Sequence, residues 1–168
     1  MIHVCSLADL HSTVASTGAS HILTVMANVA QVQRPVSVLE ANHLRVQMDD
    51  ITESMPGFTA PSESHVEQVL GFVRMWDRGA PMVIHCYAGI SRSTASAFTS
   101  ICALNPGRDE GSIARQLRAL SPSAHPNRLI VTLADKALKR NGRMVRALDE
   151  IGPGSMTVEG RPFRLHLD

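Results

Sequence analysis

The stretch that most constrains this chain is Pro81-Met82-Val83-Ile84-His85-Cys86-Tyr87-Ala88-Gly89-Ile90-Ser91-Arg92-Ser93. An apolar run of β character ends on a cysteine, five residues intervene, and an arginine opens a segment, Arg92 to Leu104, that reads as helix. A strand stopping at Cys86 and a helix starting near Arg92 leave a short loop whose N–H groups have no secondary-structure partner, so they can converge on one anion. Phosphate is the natural guest. The same amides and the helix N-terminus favour a negative sulfur, which makes Cys86 a thiolate nucleophile. Gly89 supplies the positive φ and missing Cβ that a tight loop around an anion needs. Arg92 offers a planar fork of donors that can hold two phosphate oxygens into a trigonal bipyramidal transition state. Ser93 can place a hydroxyl near the sulfur and ease its departure. His85 is better placed to brace the loop than to act as a base.

The run His85-Cys86-x-x-Gly89-x-x-Arg92-Ser93 resembles the active-site signature of the cysteine-dependent protein tyrosine phosphatases. With Ala88-Gly89 and Ser91-Arg92-Ser93 it is most similar to the small dual-specificity branch. Context discriminates here, because Cys102 is also followed six positions later by an arginine, Arg108. Cys102 lies inside a helical pattern that stops at Asn105-Pro106-Gly107, and Cys5 has His11 where the arginine should stand. The alternative for Cys86 is a buried, inert thiol before a helix.

The resemblance implies a mechanism and its residues. Cys86 attacks phosphorus while Arg92 and the loop from Tyr87 through Ala88, Gly89, Ile90 and Ser91 hold the equatorial oxygens, and an aspartate protonates the leaving oxygen. The family takes that acid from a loop after a strand, well ahead of the cysteine. Here Leu44 to Met48 runs into Asp49-Asp50; Asp50 is the expected acid and Asp49 the alternative. The segment Thr52 to Pro61, with Pro56-Gly57, reads as an extra loop near the substrate. Water then hydrolyses the phosphocysteine with Asp50 as base. The carboxyl must start protonated and the thiol ionised, which reverses their ordinary order of about 3.9 and 8.5. A bell-shaped pH profile on the acidic side of neutral and no cofactor or metal requirement follow.

Partner classes are bounded by composition. A formal net charge of +1 with scattered arginines supports neither nucleic-acid nor membrane-surface binding. Three cysteines at irregular spacing suit a reducing compartment, and no leader or membrane-length apolar stretch is visible, so a cytoplasmic location is expected. The 8 histidines are dispersed and make no zinc pattern. No Gly-x-x-x-x-Gly-Lys-Ser/Thr occurs, and Gly89-Ile90-Ser91-Arg92-Ser93 misses the hydrolase elbow at its last glycine. The loop side chains Tyr87, Ala88, Ile90 and Ser91 carry no charge, which favours a singly phosphorylated substrate, a phosphoprotein or a small phosphomonoester. Two readings from other classes are a phosphate-binding module without catalysis and a rhodanese-like sulfurtransferase.

Alternation of strand-like and helix-like segments predicts one α/β domain over residues 1–150, with helices on both faces of a single twisted sheet. The resemblance adds that the sheet is of mixed direction. Strands are expected at Ile2 to Leu7, His21 to Ala27, Leu44 to Met48 and Met82 to His85, with a short candidate at Pro35 to Leu39. Helices are expected around Ala8 to Ser16, from Ser62 or Ser64 to Arg78, Ser93 to Leu104, Ile113 to Leu120, Arg128 to Lys139 and Arg143 to Ile151. Ser64 with Glu67 three residues on has the spacing of a capping box. Pro126-Asn127-Arg128-Leu129-Ile130 resembles the family's proline-asparagine stretch before a late helix. Residues 151–168 read as an extended tail of unknown role.

Overall fold

The computed structural model describes residues 1–167. Five strands, β1 (Ile2–Cys5), β2 (His21–Met26), β3 (His43–Gln47), β4 (Met82–His85) and β5 (Phe163–Leu165), form one sheet in the order β3-β2-β4-β1-β5. The first four run parallel; β5 lies antiparallel to β1, with Ile2 opposite Leu165 and Val4 opposite Phe163. The sheet is therefore mixed through its C-terminal strand alone.

The central strands β2 and β4 read as continuous apolar runs because both of their faces are covered. On one face α1 (Leu10–Thr17) packs Leu10 and Val14 over Ile22, Val83 and Cys5. Gly18 ends that helix in the left-handed conformation, its N–H returning to the Val14 carbonyl. The other face carries α2 (Glu63–Met75), α3 (Arg92–Leu104), α4 (Glu110–Leu120), α5 (Arg128–Ala137) and α6 (Arg143–Ile151). The α3 helix is buried from Arg92 to Cys102, enclosed by the sheet, α2, α4 and α5. That enclosure explains why its sequence is rich in Ala, Ser and Thr: small side chains let four neighbours approach.

Two expectations are corrected, and of the two candidate caps for α2 one is selected. Pro35 to Leu39 is a turn, closed by the Val38 N–H on the Pro35 carbonyl, with the Arg34 guanidinium holding the Val38 carbonyl. The α2 cap is Ser62, paired with His65: the hydroxyl accepts from the His65 N–H and His65 Nδ1 accepts from the Ser62 N–H. An imidazole does the work that Glu67 was expected to do from Ser64. The final residues are extended, as read, yet they belong to the fold, since Phe163–Leu165 completes the sheet, Ser155 is bonded to Pro122 and Gly160 to Ala88 in the loop after β4. Asp168 lies outside the described residues. Among the described residues no helix is long and apolar enough to cross a membrane.

Candidate active site

The loop from Cys86 to Ser91 leaves the carboxyl end of the central strand β4 and feeds α3, so its position is set by the two most buried elements of the molecule. Its conformation is set from outside. The carbonyl of Tyr87 accepts from the Leu7 N–H (3.1 Å), that of Ala88 from Gly160 (2.9 Å), that of Ile90 from His125 (3.0 Å), and that of Ser91 from Asn127 (3.3 Å). In a trans peptide the carbonyl and the next N–H point in opposite directions. Drawing these four carbonyls outward therefore turns the N–H groups of Ala88, Gly89, Ser91 and Arg92 inward. The Gly89 N–H shows the result, lying 3.3 Å from Cys86 Sγ.

Gly89 has φ +71°, and a Cβ there would meet the Cys5 and Ser6 backbone at 2.9 Å. Both facts require glycine. Cys86 sits at the floor with its side chain buried, and Ser93 Oγ is 3.1 Å from its sulfur. The other two thiols are out of play: burial pushes Cys5 and Cys102 up to about 12. Tyr87 is the exception in the loop, with an exposed ring against Leu7, Ala8 and Val158 in a separate depression of about 250 Å³.

Arg92, the first residue of α3, is buried, and its Nη1 donates to the Met48 carbonyl at the end of β3 (2.9 Å). Its Nε lies 3.8 Å from Asp50 Oδ2, beyond hydrogen-bond range, and has no hydrogen-bond partner among the described residues. One arm of the fork is thus anchored, and a buried donor remains that a phosphate oxygen would satisfy.

The two aspartates part company. Asp49 turns into its own loop, its N–H donating to the Thr59 carbonyl (2.7 Å) and its Oδ2 accepting from the Thr59 N–H (2.7 Å). Asp50 faces the cradle. Ser91 Oγ donates to Asp50 Oδ1 at 2.7 Å, and Asn127 Nδ2 donates to the same oxygen at 2.8 Å, leaving Oδ2 toward Arg92. Asn127 is at once the cap of α5, with Oδ1 accepting from the Ile130 N–H, a backbone partner of Ser91 and the holder of Asp50. The sequence marked it as part of a proline-asparagine stretch entering a late helix, with no sign of its contact to Asp50.

His85 is buried in β4, and its Nε2 lies 2.6 Å from Thr24 Oγ1, which lies 2.8 Å from His43 Nε2. Burial pushes both rings down to about 4, so both are neutral near pH 7. One hydroxyl proton serves two neutral rings by donating to one and accepting from the other. His85 stands at the end of β4, directly before Cys86, and is bonded to two partners, Thr24 and, through it, His43, that no sequence spacing signals.

Beside the cradle opens a cleft of about 650 Å³, lined by Asp50, Ile51, Met55, Ser91, His125 and Met156 among others. One wall is the segment after α6. Arg118 holds it, donating to the carbonyls of Ile151, Gly152 and Pro153 and, on the facing loop, of Ala124, at 2.8–3.0 Å. Gly154 lies so close to that loop that a Cβ would meet the Ala124 carbonyl oxygen at 2.5 Å.

No protein-family model matches the sequence, and no curated protein matches it either. Solved structures do. The Cydia pomonella PTP-2 phosphatase superposes with a TM-score of 0.63 at 18% identity, over 80% of this chain and 84% of that chain. Human DUSP28 gives 0.62 at 19%, over 83% and 89%, and DUSP15 gives 0.61 at 19%, over 92% and 94%. The chain is similar in fold to small phosphatases over nearly their whole length.

Proposed function

We propose, from a fold shared with tyrosine and dual-specificity phosphatases, that this chain is a cysteine-dependent phosphomonoester hydrolase working through a phosphocysteine. The observation that carries the reading is the convergence on one sulfur of the Gly89 N–H, the Ser93 hydroxyl and the N-terminus of α3, with the Arg92 Nε still unpaired beside it.

The inward amides of the loop and the Arg92 fork bind three phosphate oxygens and place phosphorus over Cys86 Sγ. The thiolate attacks in line, forming the S–P bond as the P–O bond to the leaving group breaks. Asp50 delivers a proton to that departing oxygen. Arg92 and the amides are fixed beforehand by Met48 and by the outward carbonyls, so they stabilise the trigonal bipyramidal phosphoryl without reorganising. In the second step water attacks phosphorus, Asp50 takes its proton, and the S–P bond breaks. The Ser93 hydroxyl, 3.1 Å from the sulfur, donates to the thiolate that returns. Cys86, Arg92, Asp50 and Ser93 are the reacting set; His85 acts on the loop from behind.

A single aryl phosphate group, as in phosphotyrosine or a small phosphomonoester, suits a cradle whose own side chains carry no charge besides Arg92. The test is hydrolysis of an aryl phosphate in metal-free buffer across pH by wild type, Cys86→Ser, Asp50→Asn and Asp49→Asn. The expected result is activity abolished by the first change, reduced about a hundredfold by the second and little altered by the third. Activity that survives Cys86→Ser overturns the reading. Binding of phosphopeptide without any turnover assigns the cradle to recognition instead.

A further inference from the structure

We propose that Met156, on the segment after α6, and Met55, on the Asp50 loop, read the residues beside the phosphorylated side chain and select phosphotyrosine flanked by apolar neighbours. The inference rests on the phosphatase reading and deepens it.

The segment from Gly152 to Gly160 has no regular secondary structure, yet its backbone is anchored on both sides of Met156. Arg118 donates to the Ile151, Gly152 and Pro153 carbonyls, the Ser155 N–H donates to the Pro122 carbonyl (2.9 Å), and the Gly160 N–H donates to the Ala88 carbonyl (2.9 Å). These anchors at Ser155 and Gly160 bracket a short exposed stretch beside the cradle. It presents Met156 at 100% and Val158 at 94% exposure. A lone exposed apolar side chain is ordinary. Met156 is not alone, because it lines the same cleft as Met55, itself 48% exposed, together with Ile51 and Ile90. That cleft is continuous with the cradle, since Asp50, Ser91 and Asn127 line it too. A peptide whose phosphate sits in the cradle reaches this cleft past Asp50 and Ser91.

The charges in the cleft sharpen the choice. Its one arginine, Arg128, is taken by Asp149 through both Nη atoms (2.5 and 3.3 Å), and Glu53 adds a carboxylate to the rim. Acidic neighbours would meet Glu53 with no free lysine or arginine in the lining to compensate; apolar neighbours cover the two methionines. Methionine, unbranched and polarizable, packs against varied apolar shapes. Selection thus combines an attractive surface with a repulsive charge.

The experiment uses the full chain and three phosphotyrosine peptides that differ only in the two residues on either side: leucine, glutamate or lysine. Wild type is expected to prefer the leucine peptide over the glutamate peptide by about tenfold in kcat/KM, carried by KM. Met156→Glu and Met55→Glu should each erase most of that preference by raising KM for the leucine peptide. Neither variant should change the hydrolysis of para-nitrophenyl phosphate, which has no flanks. Equal kcat/KM for the leucine and glutamate peptides in wild type overturns the proposal, as does a preference that persists in both variants. Failure of wild type to hydrolyse even para-nitrophenyl phosphate overturns the phosphatase reading beneath it, and the selection falls with it.

Discussion

Asn127 donates its side-chain N–H to Asp50 Oδ1 at 2.8 Å, joining the cap of a late helix to the loop after β3 across a separation of 77 residues. One amide therefore fixes both the helix start and the aspartate that faces the cradle. Replacing it separates these duties. Asn127→Ala should lose about 1 kcal/mol of stability from the cap and lower kcat about tenfold, because Asp50 keeps only Ser91 as its holder. Asn127→Asp retains an N-cap acceptor but sets a second carboxylate against Asp50, so stability should be largely kept while kcat falls further. Urea unfolding and steady-state kinetics on both variants check this.

Gly160 offers a test of how the loop amides are aimed. Its N–H holds the Ala88 carbonyl, and a Cβ at this position would meet the Gly89 carbonyl oxygen at 2.9 Å. Gly160→Ala should push that peptide inward and spoil the cradle. The expected outcome is weaker inhibition by inorganic phosphate and vanadate together with a lower kcat, at a stability loss of about 1–3 kcal/mol. Unchanged oxyanion binding would show that the segment does not position the loop.

Only one of the three thiols should react in the native state. Cys5 and Cys102 are buried and pushed up to about 12, so they stay protonated at any pH the fold survives. Iodoacetate at neutral pH should alkylate Cys86 alone, and phosphate should protect it. Mass spectrometry of the digested protein reads the outcome directly.

Much of the candidate site was legible because its parts are local. The strand, the cysteine, the glycine and the arginine fall within one short run, and each residue type answers a chemical need that the spacing meets. The strand Met82 to His85 and the helix Arg143 to Ile151 appear with the expected bounds for the same reason: hydrophobic period and glycine stops are local signals. What the sequence hid are the contacts between distant segments. Asn127 on Asp50, Met48 on Arg92, Thr24 between two histidines and Gly160 on Ala88 all depend on the sheet order β3-β2-β4-β1-β5, and no periodicity encodes that. Pro35 to Leu39 shows the reverse error, since an alternating pattern with Val38 buried and Val36 exposed is satisfied by a turn as well as by a strand.

The buried histidine pair predicts how stability responds to acid. His85 and His43 have folded values of about 4 against an ordinary 6.5. Between those values the unfolded chain binds a proton at each ring and the folded chain does not, so stability falls as pH drops from 6.5 toward 4. The slope is about 1.4 kcal/mol per pH unit for each ring. Above pH 6.5 both states are neutral and the contribution vanishes. His43→Leu should be less stable than wild type at pH 7.5, because Thr24 loses a partner, yet its stability should decline less steeply between pH 6 and 4.5. Denaturant unfolding at a series of pH values measures both effects.

The most direct test of the account is to catch the intermediate. Wild type mixed with an aryl phosphate and quenched in acid within one turnover should yield a peptide spanning Cys86 that carries one phosphoryl group. The Ser93→Ala variant should accumulate more of it, because the returning thiolate loses the hydroxyl 3.1 Å away. A chain that hydrolyses the substrate while Cys86 stays unmodified in both proteins, or that carries the phosphoryl group on another residue, contradicts the account.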